Sequence, residues 1–279
     1  SEFLQKKCKE NFGKEAKVIP NSINTDLLYN SDKQIKDKKQ VTFVFRDNFA
    51  KGDFILSEIL KLLTLKNYNF EINVIYMREI MFPINNNENL KINFYKGPLN
   101  RKEVSNILFK TDIFVDASLM EGFGLMALEA MAAGAVPVMS QSFGVDEYAE
   151  DSKNCFIIKE VNNAEKYVEK IEELLKDEEK LKEMSKNAQD KALEFDIDKN
   201  VKKYIEYFKN VKIQEISLTE KEKEESKRWV VKEEDIYRDE DANKVKISKK
   251  RKLYQNVLKV FPKGLKTRVK NFLIKLTQG

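Results

Sequence analysis

The feature that most restricts the fold of this chain is a repeated alternation of short apolar runs with longer amphipathic ones. Residues 41–46 (VTFVFR) are apolar and β-branched; a turn follows, and then 52–66 (GDFILSEILKLLTLK) places apolar residues at helical spacing. Further strands are predicted at 70–76 (FEINVIY), 91–95 (KINFY), 112–116 (DIFVD), 135–139 (AVPVM) and 154–158 (NCFII). Helices are predicted at about 100–110 and 124–133, and Gly144–Glu150 has room for one or two helical turns. Strands separated by helices of this length argue for an α/β, Rossmann-like parallel sheet with helices on both faces. From 163 to 210 the pattern is almost wholly helical, with Tyr167, Ile171 and Leu174, then Leu181, Met184 and Ala188, three or four residues apart.

Composition limits the chemistry. The 279 residues are 42% hydrophobic, enough for one large domain or a standard domain with an appendage. Histidine is absent, which removes imidazole bases, His-based triads and His metal ligands; carboxylates, Lys, Arg, hydroxyls and backbone amides must do the work. Cys8 and Cys155 lie far apart without CxxC spacing, which argues against a disulfide framework or a zinc site and fits a reducing compartment. No run approaches the roughly 18 apolar residues of a membrane span, and the first residues lack a signal-peptide pattern. That opening stretch, SEFLQKKCKENFG, has no initiator methionine and reads as an amphipathic helix inside a longer polypeptide.

Charge is unevenly distributed. Residues 215–241 hold 11 acidic and 6 basic side chains, whereas 242–279 hold 12 Lys/Arg and no carboxylate. With a whole-chain charge of +5, the body before residue 242 is left at about −7. In the basic segment, Leu253, Val257, Val260–Phe261, Leu265, Val269, Phe272–Leu273 and Leu276 fall near helical spacing, interrupted by Pro262 and Gly264. Two short basic amphipathic helices of this kind suit an anionic membrane surface. Packing of their apolar stripe onto protein is the alternative; no nucleic-acid-reading motif is present.

The stretch most informative about function is Val115–Ser140, VDASLMEGFGLMALEAMAAGAVPVMS. Glu121, Gly122, Phe123 and Gly124 follow a strand and open a helix that closes at Gly134. Glycines at such a turn let backbone amides approach an anion, and the helix amino terminus adds partial positive charge. Open parallel sheets bind ligands at this edge. Glu129 lies eight residues after Glu121, one to two turns into the helix, so both carboxylates can reach one ligand and accept hydrogen bonds from sugar hydroxyls. Spacing alone leaves open that both are solvated surface residues.

The segment EGFGLMALEAMAAGAVPV resembles the E-x7-E motif of retaining GT-B glycosyltransferases of family 4, the group 1 glycosyl transferases. Val18–Asn24 (VIPNSIN) is similar to the segment that leads into that family's C-terminal domain, with Ser22 and Asn24 at its usual Gly and Asp. Phe45–Gly52 (FRDNFAKG) matches its G-R-x4-K-G element with Phe45 at the first Gly. Ser142–Glu147 (SFGVDE) resembles its S-x-G-G-x-x-E loop, with Phe143 where a Gly is common. The resemblance covers roughly residues 1–210.

It implies a nucleotide-diphosphate-sugar donor, with the leaving diphosphate neutralised by Arg46 and Lys51 and no metal or other cofactor. The amides around Gly122, Phe123, Gly124 and Leu125 would hold phosphate or sugar oxygens, Glu121 would touch the donor sugar, and Glu129 the ribose. Phe45 puts bulk where the family's backbone lies close to the ligand, and Phe143 is expected to narrow the donor pocket or alter which sugar fits. The resemblance implies two domains, 1–24, the end of an N-terminal GT-B domain and linker, and 25–210, the donor-binding domain; charge, not the resemblance, marks 211–241 as a charged linker and 242–279 as the basic tail. Most of the acceptor domain would be missing, so this chain alone is expected to bind donor without turnover. The implied acceptor is a glycan or a lipid-linked glycan, and the implied location is cytoplasmic, at the inner face of the membrane, in polysaccharide synthesis. Two other readings use the same residues: an epimerase or phosphorylase on the same scaffold, and a non-catalytic nucleotide-sugar-binding module. The carboxylate pair also evokes a glycosidase, but a glycine-rich loop with Arg and Lys partners suits phosphate better.

Overall fold

The computed structural model describes residues 1–46, 48–77 and 90–210. The charged segment 211–241, the basic segment 242–279, the asparagine-rich loop 85–88 and Asp47 lie outside the described residues. In chain order the elements are α1 (Glu2–Phe12), α2 (Thr25–Leu28), β1 (Lys39–Phe45), α3 (Asp53–Thr64), β2 (Phe70–Tyr76) and β3 (Lys91–Lys96). Then follow α4 (Arg101–Leu108), β4 (Ile113–Asp116), α5 (Leu125–Ala132), β5 (Val136–Ser140), β6 (Phe156–Ile158), α6 (Ala164–Lys176), α7 (Glu178–Ala192) and α8 (Ile197–Asn210).

The six strands form one parallel sheet in the order β3-β2-β1-β4-β5-β6. β1 and β4 are neighbours in space but far apart in sequence, and the connections leave them in opposite directions. The topological switch point therefore falls between them, opening a crevice at their carboxyl ends. β5 tolerates Pro137 because β6 joins only from Val138 onward; before that, β5 has a ladder partner on the β4 side alone.

Both faces of the sheet are covered. On one, Ile55, Ile59 and Leu63 of α3 and Tyr167 and Ile171 of α6 pack with Val41, Phe43 and Phe45 of β1. On the other, Ala127, Leu128 and Met131 of α5 pack with Phe114, Leu108 of α4, Leu28 of α2 and Ala188 and Ala192 of α7. Each buried Leu, Ile or Phe in these layers contributes about 1.5–3 kcal/mol relative to exposure. The small side chains of α5 let that helix lie close to the sheet, which holds its amino end near the crevice.

Local signals account for the ends of the helices. Asn100 and Glu103 form a capping box at α4. The predicted helical run from 163 is three helices: Asp177 ends α6 and caps α7 by accepting a hydrogen bond from the Lys180 amide, and a tight turn at Leu193–Phe195 precedes α8. Residues 19–25 run beside the start of α8: Ile23 exchanges backbone hydrogen bonds with Phe195 and Ile197, and Asn200 donates to the carbonyls of Pro20 and Asn21. Among the described residues, no helix is long and apolar enough to cross a membrane.

Candidate functional site

The site begins where β1 ends. The Arg46 amide donates to the Asp53 carboxylate at the start of α3 (3.1 and 3.3 Å to its two oxygens), which pins the turn that follows the strand. Asn48 caps that turn by accepting from the Ala50 amide, and Gly52 closes it at φ 69°, in the left-handed region. A Cβ at Gly52 would come within 1.9 Å of the Ala117 carbonyl oxygen, so this turn lies directly on the end of β4. Leu119 completes the join by donating its amide to the Ala50 carbonyl (2.9 Å). Lys51 is thereby held facing the loop after β4.

That loop carries Glu121. Its amide donates to the Ser142 carbonyl (3.1 Å), and its backbone bridges to Phe143 in the turn after β5. Gly144 sits tightly behind it: a Cβ there would meet the Glu121 oxygen and the Gly122 carbonyl carbon at 2.4 Å. Gly124, at φ 80°, reverses the chain into α5, and Tyr148 donates a hydrogen bond to its carbonyl (2.7 Å). The Phe123 side chain is buried against Tyr148 and Phe195, so this residue offers the cleft mainly its backbone. Glu129, one turn into α5, lies 3.9 Å from the Arg101 guanidinium at the start of α4.

Arg46, Lys51, Glu121 and Glu129 line one cleft of about 510 Å³, together with Gly122, Phe123, Gly124 and Leu125. The sequence prediction and the geometry thus gather the same eight positions at the switch point. The cleft also takes in Met126, Asn21, and Ser1 and Leu4 of α1.

Two residues singled out as departures from the family pattern stand elsewhere. Phe143 does not narrow the cleft: its ring stacks on Phe3 of α1, with centroids 5.1 Å apart. Its backbone, at φ 61°, turns the side chain towards α1. Phe45 is fully buried in the core layer beside Phe43, so its bulk points away from the cleft.

Two functional candidates escaped the sequence reading. Asp116, the last residue of β4, lines a small cavity that also touches Arg46 and Lys51, and its carboxylate accepts from the Ser118 amide (2.8 Å). Burial pushes its carboxyl above the usual range and Glu121 adds to the shift, while the Ser118 hydrogen bonds and Arg46 oppose it. The second is Tyr148, within the 144–150 stretch predicted as one or two helical turns; burial raises its phenol well above normal. Glu129 is also pushed up by burial, against the pull of Arg101 and Arg46.

The cleft can therefore combine two cations and the amino end of an eight-residue helix with carboxylates that accept hydrogen bonds. Cations and helix amides stabilise an anionic group, and carboxylates select hydroxyls. The fold and cleft define a Rossmann-like domain that presents an anion-accepting site at the switch point of its sheet.

The chain belongs to the family of group 1 glycosyl transferases, whose model matches residues 29–191. It is 29% identical over 204 residues to an uncharacterised glycosyltransferase of Methanocaldococcus jannaschii, covering 72% of this chain and 55% of that protein. The chain thus spans about half the length of that relative. Among solved structures it resembles S. aureus TarM in complex with fondaparinux, α-GlcNAc-glycerol and UDP (TM-score 0.63, 20% identity), covering 76% of this chain and 43% of TarM. It is also similar to the isolated C-terminal domain of a group 1 glycosyl transferase from Francisella tularensis (TM-score 0.54, 20% identity), covering 63% of this chain and 99% of that domain. The fold is that of the C-terminal half of a GT-B glycosyltransferase.

Proposed function

We propose that this chain carries the donor-binding half of a glycosyltransferase that moves a sugar, with retention, from a nucleotide-diphosphate-sugar to a glycan or lipid-linked acceptor. The observation that carries this reading is the convergence of Arg46, Lys51, the Gly122–Leu125 backbone, Glu121 and Glu129 on one cleft. In this reading Arg46 and Lys51 neutralise the diphosphate as it departs, and the amino end of α5 adds its dipole. No metal is then required for leaving-group stabilisation. Glu121 addresses the donor sugar and Glu129 the ribose hydroxyls.

Transfer requires a second, acceptor-binding domain facing this cleft, so the chain by itself binds donor without turnover. The basic segment 242–279 holds the protein against an anionic membrane surface on the cytoplasmic side, near a lipid-linked acceptor. TarM, whose complex contains UDP and a GlcNAc-glycerol, supports a nucleotide-sugar chemistry of this type.

The test is calorimetric titration with UDP-, GDP-, TDP- and ADP-sugars without added metal. One nucleotide class is expected to bind, with Arg46→Ala weakening it by about 1.5–3 kcal/mol, the range for losing a charged hydrogen-bonding partner. An Arg46→Ala variant that bound every donor as well as the parent would overturn the site assignment.

A further inference from the structure

The segment Val18–Asn24 (VIPNSIN) is one of the stretches that resemble the family, yet none of its residues has a task in the donor site described above. Asn21 lines the donor cleft together with Arg46, Lys51, Glu121 and Gly122. The backbone around it is fixed on both sides. Ile23 exchanges hydrogen bonds with Phe195 and Ile197, each of 2.9 Å. Asn200 of α8 is fully buried and donates its side-chain amide to the carbonyls of Pro20 (3.4 Å) and Asn21 (3.3 Å). The Asn200 Oδ1 has no hydrogen-bond partner among the described residues. An unpaired buried oxygen is costly, and an apolar side chain in its place would avoid that cost. What the Asn200 amide supplies instead is a fixed course for residues 20 and 21.

The Asn21 side chain, by contrast, is uncommitted. Asn21 is exposed, and its side chain makes no hydrogen bond among the described residues. Apart from Ser1, the other polar side chains of the cleft are charged, and Lys51 and Glu121 are already paired with each other. Two chains of contact put Asn21 towards the Glu121 end of the cleft. Phe195, which holds Ile23, sets its ring edge-on against Phe123 in the glycine turn that follows Glu121 (centroids 5.7 Å apart). Helix α1 also lines the cleft; it stacks Phe3 on Phe143, whose backbone bridges to Glu121, and its Gln5 donates to the Ala16 carbonyl just before the 18–24 segment. Glu129 stands elsewhere, on α5 beside Arg101 of α4.

We infer that Asn21 hydrogen-bonds a hydroxyl of the transferred sugar and so helps to set which sugar nucleotide the cleft accepts. This inference rests on the donor reading given above and adds a residue to its sugar subsite. A carboxamide suits the task because it both donates and accepts, as a sugar hydroxyl does. It carries no charge, so it leaves Arg46 and Lys51 to the diphosphate. A carboxylate such as Glu121 only accepts, so the two side chains together read a hydroxyl arrangement that neither reads alone.

The test is calorimetric titration of the parent and Asn21→Ala with the sugar nucleotide that binds best and, separately, with its nucleoside diphosphate. The variant is expected to keep the parent's denaturant midpoint, since the side chain has no partner in the fold. The sugar nucleotide should bind about three- to tenfold more weakly, as for one neutral hydrogen bond lost, with the nucleoside diphosphate within about twofold of the parent. Among donors with single sugar hydroxyls removed, one should bind parent and variant alike, and that donor identifies the hydroxyl contacted. Equal weakening of both ligands, or of neither, overturns the proposal. A lowered midpoint also overturns it, because the side chain then serves the fold. Absence of binding by the parent to every sugar nucleotide and nucleoside diphosphate overturns instead the donor reading on which it rests.

Discussion

Lys51 and Glu121 form an ion pair across the candidate donor cleft, although they lie on loops that follow different strands of the sheet. Both side chains are mostly buried, at 23% and 12% exposed, so solvent screens the pair only in part. The residue assigned to the diphosphate and the residue assigned to the sugar are therefore each other's partners. A bare nucleoside diphosphate must take Lys51 from Glu121 and leaves that carboxylate with no new partner. A sugar nucleotide offers Glu121 hydroxyls in exchange.

Glu121→Gln should therefore tighten binding of a free nucleoside diphosphate by about 1 kcal/mol, or roughly fivefold, while binding of the sugar nucleotide gains less or falls. Titrating both ligands into parent and variant measures the difference. Equal changes for the two ligands would show that the pair does not set their discrimination.

The loop behind Glu121 gives a steric prediction. A methyl group at Gly144 collides with the backbone of Glu121 and Gly122, whereas a Cβ at Gly122 meets nothing within 4 Å. Gly144→Ala should cost about 1–3 kcal/mol of stability, as overpacking does, and should shift Glu121. Gly122→Ala should stay within about 0.5 kcal/mol of the parent. Denaturant unfolding of both variants checks this, and a Gly144→Ala protein as stable as Gly122→Ala would mean that the loop yields.

How much of this was legible in the sequence depended on how local each determinant is. Strand–turn–helix at 115–132 could be read because the apolar run, the glycines and the helical spacing all lie within one stretch. Arg46 and Lys51 were placed by the resemblance of Phe45–Gly52 to the family's G-R-x4-K-G element, which is also one short stretch. Asp116 could not: it lines a small cavity with Arg46 and Lys51, some 65–70 residues earlier in the chain, and only the β1–β4 pairing brings them together. Phe143 was read as a pocket wall because the family pattern places a small residue there. The side-chain direction depends on a left-handed backbone and on Phe3, neither of which the local sequence reveals. The helical stretch from 163 hid its break at Asp177, since Asp there reads equally as a solvated helix residue or as a cap.

Tyr148 tests how rigidly the amino end of α5 must be held. Its buried hydroxyl donates to the Gly124 carbonyl, and a Cβ at Gly124 would lie 2.5 Å from that oxygen. Tyr148→Phe keeps the ring packing on Phe123 and Phe195 but removes the hydrogen bond. The expected loss is about 0.5–1.5 kcal/mol of stability, accompanied by weaker donor binding. Thermal unfolding alongside donor titration separates the two effects. A loss of stability with donor affinity intact would make Tyr148 a packing residue without influence on the cleft.

The opposite edge of the sheet supplies a contrast. Lys33 and Asp112 form an ion pair of 2.8 Å with both side chains almost fully buried, and Lys33 also donates to the Thr111 carbonyl (2.6 Å). Asp112 accepts in addition from the Gln40 amide, so the pair ties the segment before β1 to the start of β4. Burial pushes the Lys33 ammonium below its usual pKa, with Asp112 opposing. Lys33→Met strands a buried carboxylate and should cost about 3–5 kcal/mol, whereas Lys33→Met with Asp112→Leu should recover part of that loss. Chemical denaturation of the single and double variants closes the cycle. Because the pair lies at the amino ends of the strands, donor affinity of the folded fraction should stay at the parental value. A Lys33→Met protein that is fully folded but unable to bind donor would instead show that the two edges of the sheet are coupled.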